Sequence, residues 1–244
     1  MRRLTFAFVV LTFLYSSCSP SYVANTKNSP MFAGANEFAG TVAVGSPGVE
    51  VQAAYSFSNH IAAMINGQFL SAGTVYADNN STFQRKQNFG ELGIGYFYKG
   101  QDVRMELFAG YGIGKSASLN NFTFPVSTDQ AIVYARLQRI FLQPSLSTNL
   151  ANFNVIVTPR LSLVRFGTFT SDPFVTPQAI KPNDNFQFFF EPSVMTRFKI
   201  AGPLRGFFHI GICGSLKTSY IKHAPVSSGI GLQFHTGQLR KNDD

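Results

Sequence analysis

The sequence predicts an all-β chain: a single antiparallel transmembrane barrel of about ten strands, even in number, with both ends of the barrel on the periplasmic side. Three observations carry this. Apolar and polar residues alternate with period two from Glu37 almost to the C-terminus. Charged residues make up 13% of the chain while aromatics reach 14%, with 26 Phe, a composition too poor in charge for an ordinary soluble surface. The connections between alternating segments are short and long in turn, as in barrels with tight periplasmic turns and larger outer loops. Beyond the first residues there is no uninterrupted run of about 18 apolar residues, so the chain would have to span a membrane with strands. A length of 244 residues is consistent with one domain.

Residues 1–17 read as a lipoprotein signal peptide. Met1-Arg2-Arg3 is a basic start, Leu4 to Leu14 an apolar stretch, and Ser16-Ser17-Cys18 a small-residue cleavage site ending on cysteine. Cleavage there exposes Cys18 for a thioether-linked diacylglycerol and an N-acyl chain such as palmitate, a lipid anchor in addition to the barrel. Tyr15 stands where such sites usually carry Leu, and an ordinary secretory signal cut nearby is the alternative. A disulfide to the other cysteine, Cys213, is a further alternative, disfavoured because Cys213 lies deep in a predicted strand.

Residues 18–36 hold Pro, Asn, Ser and Gly without apolar periodicity and read as an extended tether between the lipid and the fold. The barrel follows at 37–236. In its second strand Val49, Val51, Ala53, Tyr55 and Phe57 share one face, with Glu50, Gln52, Ala54 and Ser56 on the other. Around 88–98 the apolar face is Leu92, Ile94, Tyr96 and Tyr98, and around 103–113 it is Val103, Met105, Leu107, Ala109, Tyr111 and Ile113. The expected strands are 37–44, 49–57, 61–71, 88–98, 103–115, 133–148, 153–168, 185–199, 205–216 and 226–236, most of them long enough to cross a bilayer at barrel tilt. Short turns fall at 58–60, 99–102, 149–152 and 200–204. Longer connections fall at 72–87, 116–132, 169–184 and 217–225, with 45–48 the one short outer loop. Residues 237–244 form a polar tail. Two stretches, IFLQPSLST at 140–148 and FFFEPSVMT at 188–196, echo each other, and Pro144 and Pro192 are expected to mark bulges at matching heights.

The leader ending SSC, the following SYVANTKNSP, the hairpin VQAAYSFSNHIAAMINGQF and the strand RIFLQPSLST together resemble the small β-barrel outer-membrane lipoproteins of Bacteroidota. The resemblance covers most of the chain and implies an outer-membrane location but no reaction. Acidic residues directly after Cys18, the usual surface-export signal in those bacteria, are missing from SPSYVANTK, which favours an anchor in the inner, periplasmic leaflet.

A barrel of about ten strands has a narrow lumen, and the polar faces predict its contents: Glu50, Glu91, Glu106 and Glu191 with Arg104, Arg139, Arg160, Arg197 and Arg205. Charges in so narrow a space must be paired, so this near-balanced set reads as an ion-pair network that plugs the barrel, with a selective pore or ligand pocket as the rival. Gly93, Gly95, Gly110, Gly112 and Gly114 fall on the same faces and make room for neighbouring lumen side chains.

Chemistry is thinly represented. His60 falls in a turn, His223 in an outer loop and His235 near the end of the last strand, and no His or Cys has metal-ligand spacing. His209, on a polar face near Cys213, reads as a packed lumen residue. Rim carboxylates for an enzyme would come from Asp78, Asp129, Asp172 or Asp184, with His223 as the imidazole, although loop acids of this kind are commonly just solvated. Phe83, Phe122, Phe124, Phe169 and Phe174 in outer segments are either an aromatic girdle or a partner-binding surface. The basic residues are scattered without a stripe, which argues against nucleic acid. The reading is a non-enzymatic outer-membrane lipoprotein with no catalytic residue, metal or cofactor. It would be a structural or accessory subunit of an envelope assembly, with outer-membrane lipids and other outer-membrane proteins as partners; the alternative is a narrow pore or small-ligand-binding barrel.

Overall fold

A computed structural model describes residues 20–77, 80–119, 132–150, 152–171, 186–216 and 223–238. Thirteen β segments follow one another: β1 (Phe38–Gly45), β2 (Gly48–Ser56), β3 (Ile61–Ala77), β4 (Asn80–Lys99), β5 (Val103–Leu119), β6 (Ile132–Thr148), β7 (Phe153–Thr158), β8 (Leu161–Ser171), β9 (Gln187–Phe190), β10 (Ser193–Ala201), β11 (Leu204–Ile212), β12 (Gly214–Ser215) and β13 (Val226–His235). β7 with β8, β9 with β10, and β11 with β12 are each one barrel strand with a short interruption, so the segments make ten strands. β1 pairs with β2 on one side and β13 on the other, and the ladder continues through β11, β10 and β7 back to β6. Every pairing is antiparallel, and the sheet has closed on itself, which removes the exposed edges of an open sheet.

The side-chain pattern is inverted relative to a soluble protein. The outward face carries Leu92, Ile94, Tyr96, Leu107, Tyr111 and Ile113, all exposed, while Glu50, Glu91, Glu106, Arg139, Arg160 and Gln143 are buried inside. The period-two alternation therefore divides lipid-facing from lumen-facing positions, as the sequence predicts. Among the expected outer connections, 72–87 is different. β3 and β4 remain paired up to Ala77 opposite Asn80, so most of that stretch is a strand hairpin. β3, β4, β5 and β6 have 17, 20, 17 and 17 residues, well beyond the roughly 9–11 that cross a bilayer. Past the lipid, an outward face need not be apolar, so the alternation fades from the sequence while the backbone ladder continues.

The expected bulges at Pro144 and Pro192 do not form. Leu142 pairs with Leu161 and Leu146 with Val157, one unbroken register past Pro144. Likewise Leu161 pairs with Phe190 and Thr158 with Ser193, one register past Pro192. These registers set Pro144 opposite Pro159 and Pro159 opposite Pro192, a row of three prolines across adjacent strands. Proline lacks the N–H that the ladder uses, so the row interrupts regular pairing without inserting a residue. Arg160 and Glu191 still exchange backbone bonds, at 3.3 and 2.8 Å. The register shifts lie elsewhere, between Ala135 and Leu137 and between Lys199 and Ala201.

The largest departure from expectation is the stretch before β1. Rather than a tether outside the fold, residues 20–32 are buried along their whole length inside the barrel. From Val23, bonded to Gln87, to Phe32, packed against Phe97, the segment advances nine residues while its contacts along β4 advance ten. It is close to fully extended and crosses the lumen from the end with long connections to the end with short turns. There Ala33 N donates to Glu37 Oε2 at 2.9 Å, and the chain reverses into β1. Met31 and Asn36 hold φ of 57° and 59° in this reversal; left-handed backbone is unusual for Met and easier for Asn. All ten strands contribute buried side chains around a strand-like core that belongs to no sheet.

Candidate functional site: the threaded lumen

Each acid and arginine expected in the lumen points inward. Glu50, Glu91, Glu106, Glu191, Arg139, Arg160, Arg197 and Arg205 are buried, and Arg104 is half-buried. They are not, however, mainly paired with one another. Glu91 on β4 binds Arg139 on β6, and Arg160, between β7 and β8, at 3.3 Å. The other carboxylates reach the N-terminal segment. Glu191 takes Lys27 Nζ at 2.6 Å and the Tyr22 hydroxyl at 2.6 Å. Glu50 accepts the backbone N–H of Thr26 at 2.9 Å, and Glu106 that of Phe32 at 3.1 Å.

The arginines do the same from the donor side. Arg139 donates to Tyr22 Oη at 2.7 Å and to Asn25 Oδ1 at 2.8 Å, and Arg160 to Asn25 Oδ1 at 3.0 Å. Arg104 donates to the Met31 carbonyl at 2.7 Å, and Arg197 bonds Gln233 and reaches the Ser29 and Pro30 carbonyls at 3.4 Å. Arg205 instead holds Asn154 in the wall. Neutral groups complete the lining: Gln87 both accepts from Val23 N at 3.0 Å and donates to Val23 O at 2.8 Å, and Gln52 and Gln143 donate to the carbonyls of Thr26 and Asn28. An extended strand without sheet partners exposes its N–H and C=O groups, and buried ones must be satisfied. Wall side chains do here what a neighbouring strand does in a sheet.

Aromatic rings fill the remaining space, and glycines admit them. A Cβ on Gly95 would lie 2.5 Å from the ring of Phe108, one on Gly110 2.5 Å from Phe141, and one on Gly112 2.5 Å from Phe89. Phe89 and Phe141 in turn lie under the guanidinium groups of Arg139 and Arg160, at 4.3 and 4.5 Å. The expected role of these glycines is what the packing shows.

His209 is buried, with Nδ1 3.4 Å from Thr26 Oγ1, a packed lumen residue. His235 packs against Phe32 and lies 3.9 Å from Glu37. His60 stacks on Tyr96 at the short-turn end. His223 meets the edge of Phe189 at 5.3 Å and forms an isolated bridge with Tyr22. Among the described residues no group of three or more His, Cys, Asp or Glu is arranged to hold a metal. Cys213 is a buried free thiol. Cys18, Asp78, Asp129, Asp172, Asp184, Phe122, Phe124 and Phe174 lie outside the described residues. Phe83 and Phe169 fall within β4 and β8 rather than in loops.

Closed strand order, an apolar exterior and a polar interior are all met. The fold is that of the outer-membrane β-barrels. Among solved structures, this barrel is similar to the outer-membrane protease OmpT of Escherichia coli, with 10% identity, a TM-score of 0.50, and coverage of 86% of this chain and 99% of that one. It also matches the translocator domain of the autotransporter NalP from Neisseria meningitidis, at 11% identity and TM-score 0.47 over 82% and 86% of the two chains. A third match is the KdgM porin, at 8% identity and TM-score 0.36 over 81% and 98%. No family model and no curated protein matches the chain. At such identities the likeness speaks for the barrel alone.

The residues that sequence reasoning missed are Tyr22, Asn25, Thr26, Lys27, Asn28, Ser29 and Phe32. Their composition is that of a solvated linker, and the one local hint was Lys27, a single charge in an otherwise neutral stretch.

Proposed function

We propose that this protein is a non-enzymatic outer-membrane lipoprotein whose barrel is plugged by its own N-terminal segment and which serves as a structural or accessory subunit of an envelope assembly. The observation that carries this is the burial of residues 20–32 within the lumen. A barrel held shut along its length by the Lys27–Glu191 pair and by bonds to Glu50, Glu91 and Glu106 has little room for a transported solute. Such a plug leaves the outer surface and the rims as the parts that meet other molecules. Outer-membrane lipids and neighbouring outer-membrane proteins are the partners this reading calls for.

Planar-bilayer recording tests it. Purified full-length protein should give no steady single-channel current, and a variant lacking residues 20–33 that keeps heat-modifiable gel mobility should conduct. Steady current from the intact protein would favour the narrow-pore alternative. Co-purification from native membranes identifies the assembly, and turnover of lipid or peptide that is lost with His223→Ala would overturn the non-enzymatic reading.

A further inference from the structure

The direction in which the segment is threaded determines on which face the chain begins. Ser21 Oγ lies 3.2 Å from Ser118 Oγ, close to where β5 leaves for the 120–131 connection. The Tyr22 carbonyl accepts from Ala224 N at 2.9 Å, just after the long connection that follows β12. At the opposite end Ser56 Oγ donates to the Gly34 carbonyl at 2.7 Å, and Ala35 N donates to Asn59 Oδ1 at 3.1 Å in the short turn between β2 and β3. Pro20 therefore stands at the long-connection end and Phe38 at the short-turn end.

In outer-membrane barrels the long connections face outward and the short turns face the periplasm. β3 to β6 project beyond bilayer length, with their long ends on the same side as Ser21. Cys18 is two residues before Pro20, and two residues of extended chain reach about 7 Å at most. The path back to the periplasmic leaflet through the lumen is occupied by the segment itself. The way around the outside is a full bilayer thickness of roughly 30 Å.

We propose that the chain is threaded through its own barrel so that Cys18 stands at the outer face, with its acyl chains in the outer leaflet of the outer membrane. This rests on the lipoprotein reading above and reverses the inner-leaflet anchor expected from the residues after Cys18. It also implies an order of assembly. A diacylglycerol-modified end does not pass through a lumen packed with Phe89, Phe108 and Phe141, so the strands must close around a segment already in place.

The test uses the full chain expressed in a diderm bacterium. A flexible Gly/Ser spacer with a single reactive cysteine is inserted after Ser19. The same spacer is placed within 120–131 in a second variant and after Asp244 in a third; unmodified protein controls for the buried thiol of Cys213. Each is exposed to a membrane-impermeant maleimide on intact and on permeabilised cells, and heat-modifiable mobility confirms the folded barrel. Labelled palmitate is followed in the parent and in Cys18→Ala.

The spacer after Ser19 should label on intact cells to the same extent as that in 120–131, while the spacer after Asp244 labels only after permeabilisation. Palmitate should enter the parent and be lost in Cys18→Ala. Labelling of the Ser19 spacer only after permeabilisation overturns the threading. Labelling on intact cells without palmitate incorporation overturns the outer-leaflet anchor through the lipid reading and leaves the threaded segment standing.

Discussion

Asn25 and Glu91 meet inside the barrel, the amide Nδ2 of Asn25 donating to Glu91 Oε1 at 3.0 Å. Glu91 is also the carboxylate that binds Arg139 and Arg160, and both arginines donate back to Asn25 Oδ1. One neutral side chain of the N-terminal segment thus sits at the centre of the wall's main ion cluster. Asn25→Leu keeps the volume and removes both of its hydrogen-bonding functions. Leaving buried charged groups short of partners should cost about 1–3 kcal/mol. A urea titration that follows the folded, heat-modifiable band measures it, and an unchanged midpoint contradicts this role for Asn25.

Lys27 and Glu191 form a buried pair at 2.6 Å. Lys27→Met leaves Glu191 with the Tyr22 hydroxyl but no cation from the segment, and should cost about 3–5 kcal/mol, because breaking a buried pair from one side strands a charge. The double variant Lys27→Met/Glu191→Gln should be more stable than Lys27→Met alone. Simple addition of the two single effects in the same titration would show that the pair is not coupled.

Phe32 is fully buried, with its ring 5.7 Å from Phe97 and 5.6 Å from His235. It anchors the segment just before the reversal into β1. Phe32→Ala should destabilise the barrel by about 3–5 kcal/mol, the range for a large core truncation. If the segment were an external tether the same substitution would be silent, so thermal unfolding of the folded band separates the two.

Adjacent residues of β4 face different media, and substitutions there should fail for different reasons. Gly95→Val drives side-chain atoms into Phe108, whose ring is 2.5 Å from the position of a Cβ. Overpacking of this kind costs about 1–3 kcal/mol in detergent and bilayer alike. Ile94, exposed on the outer face, should tolerate Arg in short-chain detergent micelles and lose up to about 2–4 kcal/mol in bilayers, as charges do toward the midplane of a barrel's lipid face. Equal effects of Ile94→Arg in both media would argue against its lipid contact.

The barrel itself was legible in the sequence. Val49, Val51 and Tyr55 against Glu50, Gln52 and Ala54 declare a lipid side and a lumen side within a few residues, because the bilayer constrains every second position and strand geometry is local. The same reasoning placed nine charged side chains of the barrel wall in the lumen, and it missed Lys27 of the N-terminal segment. It lost the upper parts of β3 and β4, where no lipid imposes an apolar face but backbone pairing continues.

What occupies the lumen was decided only by the tertiary structure. The pairings of Thr26 with Glu50 and His209 span 24 and 183 residues, and those of Lys27 and Tyr22 with Glu191 span 164 and 169. A stretch of Asn, Thr, Ser and one Lys reads the same whether its polar groups face water or a ring of glutamates, glutamines and arginines. Hydrogen-bonding capacity is written in the residues. Which partner satisfies it depends on the closed barrel, which brings strands far apart in sequence around a single extended segment.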